Sequence, residues 1–392
     1  MLFQSLDNKS ECYAVYCDGD LYHLPNSLNL TKTWQYARHL RGKNIECAQI
    51  WCDGKSLKEV CPDHLKGELD DVLRKGKAFL NCFNKAKINL NDICFYDSVP
   101  KKYLLELCEL KDQVSQYVFD NYTRPKNYQF MKNLIEMVED ISSRELNIDE
   151  SKLTTSVKDR ITFKKRISNT TPYICYDPYG TNTGRLSTKT GSFPIMTIKK
   201  ENRVAIKPNN DWFVELDFNA AELRALLYLY GREQPEGDLH SWICENVFSS
   251  KITREKTKTR VFSWLYNPKS KNKKLSQFID KNTILEQYYK NNIVTTPFNR
   301  YMRVEPAKAL NYLLQSVSSD LFLTQAHKIF TLLQDRRSYI SICMHDGLVI
   351  DYSEEDSDLL AEIKTTFADT DFGQYKVNVS VGKDYYNMQE IK

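Results

Sequence analysis

Apolar residues recur every three to four positions in several stretches of this chain and cluster into short unbroken runs in others, and the two patterns predict different elements. Residues 212–217, Trp-Phe-Val-Glu-Leu-Asp, read as a buried strand. Residues 219–230 read as the helix that follows it, with Asn219 as candidate N-cap. Residues 251–266 form a basic amphipathic helix and residues 305–334 a longer one. Residues 339–351 read as strand, tight turn and strand, with His345-Asp346-Gly347 at the turn, and 376–386 as a closing strand. Earlier in the chain, 102–122 and 127–149 carry helical periodicity on either side of Pro125, as a helical hairpin would. Residues 1–100 read as a small α/β unit in which the runs 13–16 and 21–24 flank Cys17-Asp18-Gly19-Asp20, a hairpin signal.

Two aspartates stand out against this pattern. Asp217 ends an apolar strand and Asp346 occupies the turn of an apolar hairpin. A carboxylate in such surroundings is costly unless it is paired or binds a cation. If the two strands are neighbours, both carboxylates reach one point and suit Mg²⁺, which takes hard oxygen ligands. Taken separately, each aspartate reads first as an N-cap or turn residue without a metal. On the basic helix, Arg254, Lys258, Phe262 and Tyr266 recur every four residues, so cations and aromatic rings share one face. A nucleotide, with its triphosphate and flat base, could lie along that face; a solvated amphipathic helix has the same spacing.

Charge and cysteines add detail. Residues 251–274 hold nine Lys/Arg and one acid, and 158–166 hold five and one. Such runs neutralise phosphates or simply face solvent. The net charge over 392 residues is only +4, and 41% hydrophobic with 27% charged residues is ordinary for a globular protein of two or three subdomains. No apolar run is long enough to span a membrane, and the opening residues lack a secretory pattern, so a cytoplasmic setting with reduced thiols is expected. Eight of the eleven cysteines precede residue 109. Cys47, Cys52, Cys61 and His64 are a candidate metal cluster: the Cys61-Pro-Asp-His64 step could place two ligands on one metal, the Cys47 to Cys52 spacing is looser than common zinc pairs, and ordinary buried thiols are the alternative.

Taken in order, Thr183-Gly184-Arg185-Leu186-Ser187, Asp217-Phe-Asn-Ala-Ala-Glu222-Leu-Arg224, Arg254-x3-Lys258-x3-Phe262-x3-Tyr266 and His345-Asp346 resemble the TGRLS segment and motifs A, B and C of family A DNA polymerases, the group of bacterial DNA polymerase I. Asn311 to Gln315 with Ser318-Ser319-Asp320 resembles that family's helix between motifs B and C, and Val381-Gly382-Lys383-Asp384-Tyr385-Tyr386 its C-terminal strand. The resemblance covers about residues 170–390. It implies an α+β right-hand polymerase, with an antiparallel palm sheet, helical fingers and thumb, and a small α/β N-terminal region. The corresponding segments are 1–100, a thumb-like 101–170, and palm and fingers at 171–392.

The resemblance also implies a DNA-directed nucleotidyltransferase that extends a primed DNA template from dNTPs. Asp217 and Asp346, with the backbone carbonyl of Phe218, would hold two Mg²⁺ ions. Arg254 and Lys258 would hold the triphosphate, Lys258 also donating a proton to pyrophosphate, with His240 as a further phosphate contact. Phe262 would pack on the incoming sugar and base, and Tyr266 would stack at the insertion site. Arg185, Gln315 and His345 would read the minor groove near the primer end, with Asn311 and Arg224 in support. Glu222 would wall off the 2′-hydroxyl and so favour deoxynucleotides, and Phe262 in place of tyrosine would discriminate against dideoxynucleotides. Three departures are visible: Gly347 where the family has glutamate after His-Asp, Ser263 and Asn267 where small glycines are common, and a short segment implying reduced fingers. Asp18-Gly19-Asp20 is the nearest approach to an exonuclease acid set, and its reading as a hairpin turn implies no proofreading. The compact size and Lys/Asn/Tyr richness suit a viral or phage enzyme whose replisome or processivity partner stays open. The competing expectations are an RNA-synthesising or primase-like relative, and a non-catalytic nucleic-acid-binding homologue.

Overall fold

The computed structural model describes residues 1–6, 14–23, 28–88, 93–153, 156–249, 252–267 and 270–391; Tyr13, Leu24, Lys251 and Lys269, which belong to the expected hairpin and basic stretch, lie outside these. Two compact units divide the chain, Met1–Asp140 and Ile141–Lys392.

In the first unit the Asp18-Gly19 step makes the expected hairpin. Strands Ala14–Cys17 and Asp20–His23 pair antiparallel, with φ at +52° for Asp18 and +89° for Gly19. Positive φ at both central residues matches the twist of the flanking strands, and Asp-Gly supplies it at little cost. The five-stranded sheet is mixed: Leu2–Ser5 pairs antiparallel with Ala14–Cys17 and parallel with Lys32–Thr33, which pairs parallel with Glu46–Cys47. Helix Lys101–Asn121 packs on this sheet and on helix Lys66–Lys85. Its buried face, including Leu104, Leu110, Val114 and Val118, joins Trp34, Ala48 and Leu69 in one core. Burying each such side chain contributes about 1.5–3 kcal/mol. Gln4 Nε2 donates to Asp112 Oδ1 at 2.8 Å, fixing the helix on the sheet.

Of the candidate cluster, Cys52 and Cys61 are part of this core, and His64 is exposed. Cys47, Cys52 and Cys61 are buried. The Cys52 thiol donates to the Gln49 carbonyl at 3.4 Å and the Cys61 thiol to the Pro62 carbonyl at 3.6 Å. Burial pushes Cys47 up to about 12 and Cys52 up to about 11, which disfavours the thiolate a metal needs. Among the described residues no group of three or more His, Cys, Asp or Glu has an arrangement that could hold a metal ion.

The helix expected over 127–149 is shorter, Tyr128–Ile141. Beyond it Glu145 bridges to Tyr173, and Asn147–Ile148 pairs with Ile206–Lys207. Pairing with sequence-distant backbone thus replaces helical bonds that local periodicity favours.

The second unit is built on a five-stranded sheet in the order Tyr339–Met344, Gly347–Tyr352, Trp212–Phe218, Val377–Gly382, Gln389–Ile391, antiparallel throughout. Alternation along the central strand divides its side chains between two faces. Val214, Leu216 and Phe218 are buried on one of them, where Phe218 stacks on Phe367 of helix Leu360–Ala368 with ring centroids 4.4 Å apart. Helix Ala309–Leu332 packs against that helix and against Ala221–Leu229. It is buried on nearly all sides, as an apolar helix inside a layered domain must be. The opposite face of the central strand carries Phe213, Glu215 and Asp217, the two acids half-buried. No helix among the described residues is long and apolar enough to cross a membrane.

Candidate active site

Asp217 pairs in register with Gly347, the first residue of its neighbouring strand, and Met344 pairs with the same glycine across the hairpin. The turn is therefore His345-Asp346, and Gly347, expected in the turn, already belongs to the strand. His345 adopts φ +58°, a left-handed conformation that non-glycine residues reach only at some cost. This geometry brings Asp346 to the end of the strand that bears Asp217. Burial, then the charges of Asp346 and Glu215, push the Asp217 carboxyl up to about 7. Burial likewise raises Asp346, against the pull of His345 and Arg185. Two mutually repelling, partly desolvated carboxylates form a donor set suited to a hard divalent cation.

The segment bearing Arg185 is anchored to the same hairpin. The Tyr176 hydroxyl donates to the Cys343 carbonyl at 2.7 Å and accepts from the Cys343 amide at 2.9 Å. Gly184 sits at φ +77°, and a Cβ there would collide with the Arg300 guanidinium. Arg300 in turn makes two bonds to Asp320, at 2.7 and 3.1 Å. Arg185 leaves this support to meet Glu222 at 2.6 Å.

Asn219 does not cap the helix that follows it. The N-cap is Ala220, in a left-handed conformation at φ +57°, and it makes no side-chain cap bond. Asn219 instead donates to Asp238 Oδ1 at 3.0 Å and accepts from the Leu239 amide at 3.1 Å, tying the strand end to helix Leu239–Asn246. Arg224 is fully buried and donates to the carbonyls of Asn219, Pro235 and Gly237. It acts as an internal brace and has no exposed surface to offer a ligand.

The basic helix is Arg254–Tyr266, capped by the Thr253 side chain. Phe262 and Tyr266 stack at 5.8 Å and 21°, and the His240 ring lies 5.9 Å from Phe262. Phe262 is exposed at 43%, although a lone phenylalanine at the surface loses hydrophobic stabilisation. His240 is buried with Nδ1 unpartnered, and burial lowers its pKa. Lys258 is exposed. Arg254 holds Asp238 through two bonds, at 2.7 and 2.8 Å, and keeps that carboxyl far below the usual carboxylate range. Lys281 closes the helix, its ammonium donating to the Trp264 carbonyl and lying 4.1 Å from the Trp264 ring centroid; burial lowers it to about 8.

These elements enclose one cavity of about 460 Å³. It is lined by Phe262 and Tyr266 of the basic helix, His240 of helix Leu239–Asn246, Glu222 of helix Ala221–Leu229, Asp346 of the hairpin turn, Arg185, and Asn311 and Gln315 of helix Ala309–Leu332. Gln315 Nε2 donates to Asn311 Oδ1 at 2.9 Å, as i, i+4 neighbours can. Asp217, Phe218, Arg254, Lys258 and His345 do not line the cavity. His345 lines a smaller cleft with Arg185, Ser319 and Phe322. The motif reading did not single out Glu215 beside Asp217, or the Arg300–Asp320 pair. Period-two alternation would have found the first; nothing local marks the second.

No family model matches the chain, and no curated protein matches it. Among solved structures, its fold is similar to the POL domain of Pol1 from M. smegmatis in complex with DNA primer-template and dNTP, at TM-score 0.58 and 14% identity, over 73% of this chain and 76% of that one. The chain thus has a mixed α/β fold of the polymerase-domain kind. The neighbour is mycobacterial, so the likeness supports that fold and not the viral or phage type expected from composition.

Proposed function

We propose that this chain is a template-directed DNA polymerase of the family A type, adding deoxynucleotides to a primer 3′ end without proofreading. The observation that carries this is the cavity: residues of all four motifs, from Arg185 to Asp346, line one space next to the strand that bears Asp217. The polymerase-like fold supports it, as does the neighbour's complex with primer-template and dNTP. The antiparallel sheet would be the palm, the basic helix part of the fingers, and helical residues within 101–170 the thumb.

Asp217, Asp346 and the Phe218 carbonyl would hold a pair of Mg²⁺ ions, and the donors fit: carboxyl oxygens, half-buried, repelling one another and, among the described residues, with no ion pair to a protein cation. When bound, such ions lower the pKa of an attacking hydroxyl and shield charge on a leaving pyrophosphate. The rest is done by the chain itself. Lys258 reaches out unpaired among the described residues, fit to hold a triphosphate and to protonate the leaving group. Arg254 can join it only by sharing its guanidinium with Asp238. The Phe262–Tyr266 stack offers an apolar platform to a sugar and base. Glu222, held by Arg185, presents bulk and charge where a 2′-hydroxyl would point. Arg185, Gln315, Asn311 and His345 would face the primer terminus.

A primed-template extension assay tests this, with dNTPs, rNTPs and 2′,3′-dideoxynucleotides supplied in turn. Extension with dNTPs in preference to rNTPs is expected. DNA binding without extension would instead point to a non-catalytic homologue, and rNTP preference to an RNA-synthesising enzyme. In the same assay, Phe262→Tyr is expected to raise dideoxy incorporation relative to dNTP about tenfold, the worth of one added hydrogen bond. An unchanged ratio would contradict the role given to residue 262.

A further inference from the structure

Gly347 stands where the resembled family carries an acid, and the structure gives no backbone or packing reason for glycine. It is not among the positive-φ glycines. A Cβ at 347 would meet the Met344 carbonyl oxygen at 3.4 Å, Asp217 Oδ1 at 3.7 Å and Glu215 Oε1 at 3.7 Å, all ordinary van der Waals separations. Conformation and room therefore both permit a side chain. Its nearest charged atoms belong to two acids, Asp217 and Glu215, with Arg203 and Lys200 acting on Glu215 from farther off. A carboxylate at 347 would be pressed against two others, and like charges at that range disfavour ionisation.

Glu215 is the source of the second of those charges. It lies two residues before Asp217 in strand Trp212–Phe218, so both side chains leave the same face of the sheet. Among the described residues its carboxylate forms no hydrogen bond or ion pair. It is half-buried; burial raises its pKa, while the charges of Arg203 and Lys200 pull it back without a direct ion pair, so its oxygens keep open positions for water. The space an acid at 347 would occupy is thus flanked by an acid reaching in from the neighbouring strand.

We propose that Glu215 supplies the third carboxylate of the divalent-cation site, in the place of the acid that Gly347 lacks. It acts as a positioning residue through cation-bound water, since no three such groups converge tightly enough to ligate an ion directly. Outer carboxylates of this kind orient the water and ligands around a cation and strengthen its binding. This inference rests on the proposed pair Asp217 and Asp346 being the primary ligands.

Mn²⁺ binding to the full chain, followed by electron paramagnetic resonance without DNA or nucleotide, tests it. Glu215→Gln is expected to weaken Mn²⁺ binding by about tenfold or more, the usual effect of losing an outer partner. Moving the acid, in Glu215→Gln with Gly347→Glu, should recover most of that loss, which a merely structural role for Glu215 would not allow. The Mg²⁺ concentration for half-maximal primer extension should move in parallel. Wild-type Mn²⁺ affinity in Glu215→Gln, with Asp346→Asn impaired, overturns the role of Glu215 alone. Unimpaired Mn²⁺ binding in Asp346→Asn overturns the cation site itself and this inference with it. Thermal melts of each variant separate lost affinity from lost fold.

Discussion

Asp346→Asn is expected to lower primer extension by about a thousandfold or more, because an ion misplaced at nucleotidyl transfer removes on the order of 4 kcal/mol of transition-state stabilisation. The same variant should melt no lower than wild type in EDTA at pH 8, and the direction follows from linkage. Asp217 titrates near 7 in the folded chain, raised above its usual 3.8 by burial, by Asp346 and by Glu215. A carboxyl raised in this way favours folding while protonated, and that contribution is lost as pH climbs from about 4 through 7. Removing the Asp346 charge relieves part of the repulsion, so the gain in Tm should be larger at pH 8 than at pH 5. Asparagine keeps the shape of the turn at 345–346, so DNA binding should survive. A variant that extends primers within tenfold of wild type would mean that Asp346 holds no ion essential to the reaction.

Arg300→Met is expected to cost about 3–5 kcal/mol of stability, the range for stripping one partner from a buried ion pair. Asp320 is 1% exposed by side chain and Arg300 13%, so loss of the guanidinium leaves a carboxylate in the middle of helix Ala309–Leu332. For a unit of this size the melting temperature should fall on the order of 10 °C. The deficit should shrink toward acid pH. Burial already raises the Asp320 carboxyl and Arg300 pulls it down; without the arginine it rises further, so stability is retained while it is protonated and lost as pH increases. The double variant Arg300→Met with Asp320→Leu should recover much of the loss, as apolar replacements of buried pairs do. A second consequence is local. Gly184 packs on the Arg300 guanidinium, so Arg300→Met should loosen the segment that presents Arg185, and extension should suffer even below the melting transition. Equal melting of variant and wild type at pH 8 would rule out a stabilising role for the pair.

Much of the second unit was legible from sequence because its signals are local. The strand before Asp217 and the hairpin at 345–346 lie within a residue or two of their expected bounds, and the basic helix with its four-residue stripe ends as expected at Tyr266 but starts three residues later, at Arg254. In the first unit, the Asp18-Gly19 turn followed from the φ values such a dipeptide tolerates. Where local and distant bonding compete, local reading erred. The helix predicted to 149 stops at Ile141 because the next residues pair with Tyr173 and with 206–207. Asn219 has the chemistry of an N-cap, yet Ala220 turns left-handed and frees the asparagine for Asp238 and Leu239.

The sequence by itself determined the chemistry on offer: which residues can ligate a cation, hold a phosphate or stack on a base, and which side of each helix or strand they leave from. Those properties reside in side chains and in periods of two or 3.6 residues, so neighbours suffice to read them. Only the tertiary structure decided which charges meet. Arg254 against Asp238, Arg185 against Glu222, Arg300 beneath Gly184 and Glu215 beside the empty side-chain space of Gly347 are pairings across tens to hundreds of residues or across strands. They depend on register and packing, where a shift of one residue turns a side chain to the opposite face, and no local pattern carries that information.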